Sequence, residues 1–474
     1  MSLTTRVGLL AGASALTLTG ASFADNPTEA QNYEARIAEL EATVAQLKGD
    51  NWLTEQRSDE IRSMVQDALA DADTRASLLQ AGMTAGYDNG FVIGSSDGNF
   101  MLKINGQLQT RFVYNNQDKS PSTVNEDASL GDLLAASWAA ETEEELMAAL
   151  EDELLISGDD NRWGFENTRT KLIFSGHVVN PDWMYLIEAN FGTCGTFTLE
   201  DAYIAYNYGN GWKAMMGQFK APFLREELVN SMYQLAVERS WVNEYYTAGR
   251  TQGVAMDYLG EQFHFTGALL QDGANADNGA WINYDVEWAM GARVEVLFQG
   301  TWDQFTDFTS WKGEETGFMM GAALHYQSQE YGTSHNNELE VAQATIDASV
   351  EFGGANLFGA IVYSNLDNDA NIDADQYGIV IQGGFFLDDN WELFGRYEWS
   401  DLDMQFADDI SIFTVGVNRY WAKHGLKWTT DIGYGIESVY STQAITGWRA
   451  DGIDEDLNNE DGQVVFRTQM QLTF

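Results

Sequence analysis

From residue 98 to its last residue, the chain repeats one pattern: short segments whose side chains alternate apolar and polar, joined by connections that are alternately tight and long. In FMLKINGQLQTRFVYN, Leu102, Ile104, Leu108, Phe112 and Tyr114 share one face of an extended strand, and Lys103, Asn105, Gln107, Gln109 and Arg111 share the other. The same period of two recurs in TRTKLIFSGHV, DWMYLIEANF, TLEDAYIAYNY, WKAMMGQF, QGVAMDYL, QFHFTGALLQ, WAMGARVEVLF, GFMMGAALHYQ, VAQATIDASVEF, ANLFGAIVYSN, QYGIVIQGGFF, WELFGRYEWS, ISIFTVGVNRYW, LKWTTDIGYGI and the closing VVFRTQMQLTF, sixteen segments in all. VNP, GNG, LGE, FGGAN, LDDN and AKHG are hairpin turns. Between them run polar loops over residues 115–162, 220–250, 272–286, 329–338, 366–374, 402–409 and 438–462. Short turns on one rim and long loops on the other describe an all-β fold, a 16-stranded antiparallel transmembrane β-barrel. Pro27, Pro121, Pro181 and Pro222 all precede residue 223, which suits a chain whose second half is sheet interior.

Two connections break the rule: FGTCGT is short on the long-loop side, and QGTWDQFTDFTSWKGEET is long on the short-turn side. A secreted sandwich or propeller would alternate as well. Segments near ten residues, with Trp183, Trp212, Trp281, Trp391, Tyr420, Trp421 and Trp428 at their ends, match instead a barrel with aromatic girdles at the two membrane interfaces. An even strand count returns the C-terminus to the rim where the chain came in. Phe474 then ends a strand that pairs with the first, so barrel closure ties it down.

Ahead of the barrel, residues 1–24 carry Arg6, an apolar run and small residues at Ser22 and Ala24, the form of an export signal. Residues 25–86 read as a helical stalk. Tyr33, Ile37, Leu40, Val44 and Leu47 make a coiled-coil seam of about two and a half heptads, too short to stand alone, which points to self-association. A second helical stretch follows, with Ile61, Val65, Leu69 and Leu78 near one face, and residues 87–474 are assigned to the barrel. Cys194 is alone, so no disulfide holds the fold. A net charge of -47 excludes nucleic acid as a partner and leaves outer-membrane lipid, reached through the apolar strand face, as the surrounding medium.

The segments GFENTRTKLIFSGHVVNPDWMYLIEANF, LEDAYIAYNY, GQFKAPFLREELVNS and ERSWVNEYYTAGRTQGV resemble the phosphate-selective porin O and P family. The resemblance covers about residues 90–474 and is most specific over residues 165–254. It implies a homotrimeric outer-membrane porin whose third long loop, residues 220–250, folds into the lumen. LADADTRASLL resembles the periplasmic extension of porins from planctomycete-like bacteria, which places the stalk in the periplasm. The closing strand resembles the C-terminal signal read by the barrel-assembly machinery, with Phe474 as its aromatic end.

Strand parity assigns the charges. Inward cations are Lys103, Arg111, Arg169, Lys171, Arg293, Arg396, Lys427 and Arg467, against Glu188, Glu295, Glu392, Glu398 and Asp431, a wall that leans basic. The constriction loop mixes Lys220, Arg225, Arg239 and Arg250 with Glu226, Glu227, Glu238 and Glu244. These residues predict a water-filled channel for small polar and ionic solutes, with a modest anion preference and no high-affinity phosphate site. Seventy-two acids against twenty-five bases keep open a cation-leaning general porin, and the stalk keeps open a structural protein that tethers the membrane to the cell wall. An enzyme is not expected: His177, His264, His325, His335 and His424 are scattered, with no HExxH and no nucleophile elbow. No cofactor is implied. DNDANIDAD and DEDLNNEDG lack the glycine and terminal glutamate of an EF-hand loop, so weak calcium binding is the most these acidic loops offer.

Overall fold

Alternating segments can bury their polar groups in a bilayer only by pairing edge to edge until the sheet closes. The computed structural model describes residues 83–117, 161–192, 195–271, 286–331, 337–368, 372–403, 409–436 and 462–474, with a few short stretches besides. The chain divides into two units, residues 1–81 and 82–474. In the first, only Ala38, Glu39, Glu41 and Ala42 are described, all helical and exposed. The export signal, every residue of the seam, the second helical stretch, Cys194, His335 and most of the acidic loops lie outside the described residues.

The second unit begins with a hairpin, β1 (Met83–Tyr87) and β2 (Phe91–Ser95), so strand structure starts a few residues inside the span assigned to the stalk. The barrel strands are β3 (Met101–Gln117), β4 (Asn161–His177), β5 (Trp183–Phe191), β6 (Phe197–Gly209), β7 (Trp212–Lys220), β8 (Arg250–Leu259), β9 (Phe263–Leu270) and β10 (Val286–Gln299). They continue with β11 (Gly317–Tyr331), β12 (Asn337–Glu351), β13 (Ala355–Asn368), β14 (Ile372–Phe386), β15 (Trp391–Asp401), β16 (Ile410–Tyr420), β17 (Leu426–Gly435) and β18 (Gln463–Thr473). Each pairs antiparallel with its neighbours in sequence, and β18 closes on β3 from Gln463↔Gln117 to Thr473↔Gln107. All sixteen alternating segments are barrel strands.

Outward side chains are apolar and exposed, among them Ile204, Met216, Leu269, Leu324, Ile361 and Val415, as lipid contact requires. Trp183, Trp212 and Trp421 are exposed on this face. Tyr420 is not a girdle residue: it points inward, 2% exposed, and donates from its hydroxyl to Glu392 Oε2 at 2.6 Å. Trp281 lies outside the described residues.

The inner face is not uniformly polar. Phe358, Ala360, Val362, Val380, Phe394, Ile410 and Ile412 point into the barrel and form a buried cluster with residues of the loop between β7 and β8. That loop, residues 221–249, holds two short helices, α1 (Arg225–Leu228) and α2 (Trp241–Tyr246). Phe223, Leu224, Leu235, Trp241, Val242 and Tyr246 are its contribution to the cluster. Burying such side chains contributes about 1.5–3 kcal/mol each. The loop is therefore packed as a core element inside the barrel.

Candidate functional site

Backbone polar groups of the inserted loop have no sheet partners, and the barrel wall supplies them. Asp431 accepts from Val237 N at 2.9 Å, and Glu398 accepts from Trp241 N at the start of α2. Lys427 donates to Gln234 O at 2.6 Å, Arg396 to Glu238 O at 2.9 Å, Asn418 to Leu235 O at 2.9 Å and Arg293 to Phe223 O at 3.0 Å. Within the loop, Ser240 caps α2 by accepting from Asn243 N, and Glu226 accepts from Ser240 N at 2.7 Å. Wall residues of β3, β10 and β15–β18 thus hold a loop that leaves from β7, and β15 stands half-way around the barrel from it.

The charges are matched in pairs. Arg111 lies between Glu166 at 2.5 Å and Glu238 at 2.6 Å, and Arg169 meets both oxygens of Glu238 at 2.9 and 2.7 Å. Lys171 binds Glu188 and Glu200; Arg293 binds Asp347 at 2.7 Å and Glu295 at 2.9 Å. Arg396 pairs with Glu398 at 2.8 Å, and Arg467 with Asp431 at 2.7 Å. In the loop, Lys220 and Arg239 flank Glu227 at 3.4 and 3.3 Å, and Arg225 reaches Glu295 at 3.7 Å. Arg250 meets Glu200 at 2.8 Å, Asp201 at 3.1 Å and Glu188 at 3.7 Å. Lys103 is half-buried on β3 with Ser175 as its cross-strand neighbour.

Lys220 and Arg250 are register partners at the base of the loop. Their side chains are 13% and 16% exposed, beside Glu200 and Asp201 at 12% each, so water reaches this charged group more than the pairs behind the loop. Glu244 lies on the same loop, and burial, reinforced by Glu227 and Glu238, pushes its carboxyl up to about 7 against the opposing pull of Arg239.

A family model, phosphate-selective porin O and P, matches residues 155–430, from before β4 to within β17. The chain belongs to the phosphate-selective porin O and P family. It is 24% identical over 301 residues to an uncharacterized protein of Aquifex aeolicus (strain VF5), covering 58% of this chain and 67% of that one. Among solved structures, the anion-selective porin from Comamonas acidovorans aligns with a TM-score of 0.51 at 13% identity, covering 79% of this chain and 99% of that one. The outer membrane channel DcaP of Acinetobacter baumannii aligns with a TM-score of 0.51 at 12% identity, covering 82% of this chain and all of that one. These two show the shared barrel. The porin is an outer-membrane channel for passive diffusion, not an enzyme.

Parity placed Arg111, Arg169, Lys171, Arg293, Arg396, Lys427 and Arg467 inside this porin, where they are found buried. The basic lean of the wall does not hold, because parity missed inward acids. A register shift between β5 and β6 turns both Glu200 and Asp201 inward, where strict alternation allows only one. Asp347 needed no irregularity: in VAQATIDASVEF it shares a face with Gln343, Thr345, Ser349 and Glu351 and was legible. The inward apolar cluster also had a signal, since ANLFGAIVYSN and ISIFTVGV carry apolar residues on both faces.

Proposed function

We propose that this porin passes small polar and ionic solutes through a lumen narrowed by residues 221–249, with at most a modest anion preference and no high-affinity phosphate site. Lys220, Arg225, Glu226, Glu227, Glu238, Arg239, Glu244 and Arg250 are the charged groups of that constriction in this reading, and Lys220 and Arg250 meet the permeating ion. The observation that carries it is pairing. Arg111, Arg169, Lys171, Lys220, Arg225, Arg239, Arg250, Arg293, Arg396 and Arg467 each have a carboxylate within 4.0 Å. A tight phosphate site needs several charge-assisted donors aimed at one anion, and here those donors are already engaged. Paired charges still polarise the narrow zone, where they act at closer range than loop acids screened over roughly 8 Å at physiological salt. Reversal potential across a planar bilayer under a potassium chloride gradient tests this, repeated with phosphate. Weak selectivity without phosphate block is expected. Block of chloride current by micromolar phosphate would overturn the absence of a phosphate site, and strong cation selectivity would favour the cation-leaning alternative.

We read the assembly as a homotrimer. Strands β10–β14 have 14 to 15 residues, against 10 to 11 in β15–β18 and 8 to 13 in β5–β9, where the wall is low. The outward surface there is hollowed by Ala214, Gly267 and Ala292 between Met216, Leu269 and Met290, a shape that suits packing against a second copy. Cross-linking in mild detergent that yields only monomers would remove the trimer. Residues 25–81 are read as a periplasmic stalk on their heptad seam and on the barrel beginning at the short-turn rim; cleavage of the stalk by protease added to intact cells would contradict it.

A further inference from the structure

The long connection on the short-turn rim, residues 300–316, is the second departure from the alternation of turns and loops. It does not hang into solvent. Phe305, Phe308, Thr309 and Ser310 are 4%, 4%, 1% and 0% exposed. At one end, Trp302 donates from Nε1 to Gly260 O at 2.9 Å, in the turn between β8 and β9. At the other, Asp307 meets His424 Nε2 at 3.1 Å in the turn between β16 and β17, and the Trp311 ring lies 5.4 Å from His424 and 4.9 Å from Tyr420. Ser310 Oγ accepts from Gly353 N at 3.0 Å and Gly354 N at 3.3 Å, in the turn between β12 and β13.

These two anchors are eight strands apart in the closed sheet, halfway around the barrel. Along the wall that arc is at least about 38 Å, from strand spacings near 4.8 Å. The five steps from Trp302 to Asp307 extend at most about 18 Å and include the turn Gln304–Thr306, too short for that arc even with the reach of the side chains at each end. The segment therefore cuts across the mouth. It also meets the inserted loop from below: Arg225 donates to Phe305 O at 2.6 Å, Phe308 N to Tyr233 O at 3.3 Å, and the Phe308 ring joins the inner apolar cluster.

We propose that residues 300–316 form a second constriction at the periplasmic mouth, in series with residues 221–249, and that the two together set the largest solute the porin passes. The proposal rests on the channel reading above. Its groups open to the mouth are mainly acidic: Asp303 and Glu315 are exposed and Asp307 and Glu314 half-buried, against Lys312.

The test uses the full-length protein in planar bilayers and in liposomes swollen with sugars of graded size. One variant replaces residues 302–314 with an Asn-Gly turn; a second, Trp311→Ala with His424→Ala, keeps the segment and removes its far anchor. The first should raise single-channel conductance at least twofold and admit larger sugars, and the second should give intermediate or fluctuating conductance. Because the two narrowings act in series, adding the excision of residues 226–244 should raise conductance by more than the sum of the separate gains. Wild-type conductance and sugar cut-off in a folded, heat-modifiable first variant would overturn the proposal. If that variant does not fold, steady wild-type current through the second overturns it. A wild-type protein that opens no pore overturns the channel reading instead.

Discussion

Glu238 shows how much one side chain does here. Its two oxygens engage Arg111 and Arg169, from adjacent strands, while its own backbone carbonyl accepts from Arg396. The side chains of Glu238, Arg111 and Arg169 are 2%, 1% and 7% exposed, so solvent compensates little. Removing one partner of such a group costs about 3–5 kcal/mol, chiefly because charge is left buried and unmatched. Glu238→Ala should therefore lower resistance to unfolding by urea by about that amount. It should also shift the reversal potential toward chloride, since Arg169 and Arg111 each lose a carboxylate partner. Glu238→Gln should show the selectivity shift with a smaller loss of stability. A Glu238→Ala protein with unchanged reversal potential would mean that neither guanidinium is felt by the permeating ion.

At the scale of elements, the inserted loop is both constriction and core. Excision of residues 226–244 removes α1 and most of α2, and uncovers Phe358, Val380, Phe394 and Ile412 to water. Conductance should rise, and the temperature at which the barrel loses its heat-modifiable mobility should fall. A conductance matching wild type would place the loop outside the ion path. The strands were legible because a sheet closed in a bilayer must alternate, and all sixteen segments carried that period. The loop's fate was legible only through resemblance, since KAPFLREELVNSMYQLAVERS has no periodicity that says which side of the wall it takes. Its packing partners were nevertheless written in the strands that break alternation inward. That the loop could pair charges was legible from its mixed composition, but the pairing of the wall residue Arg169 with Glu238 was not, because it depends on the loop crossing the lumen, which the sequence of a single strand does not encode.

At the scale of the whole molecule, closure decides whether a barrel exists, and the β18–β3 ladder that makes it runs on to Phe474. Gly106 N donates to Phe474 O at 2.9 Å, and Phe474 N donates to Gly106 O at 3.1 Å, so the terminal residue completes the β18–β3 ladder. The Phe474 ring lies over Gly106, where a Cβ would fall 2.3 Å from Cζ, and meets Phe91 of the leading hairpin at 6.1 Å between ring centres. The geometry gives the Phe474 ring a packing role in the closed barrel, the resemblance of the closing strand predicts a signal read before closure, and two variants separate them. Gly106→Val displaces the ring but leaves the terminal sequence intact, whereas Phe474→Ala keeps the ladder and deletes the ring. If the ring acts as the assembly signal, Phe474→Ala should lower folded surface protein several-fold in cells while refolding from urea into detergent proceeds near wild type. Gly106→Val should then affect refolding more than surface delivery. Equal losses of both variants in both assays would leave packing as the whole role of Phe474, and normal surface levels of Phe474→Ala would remove the signal outright.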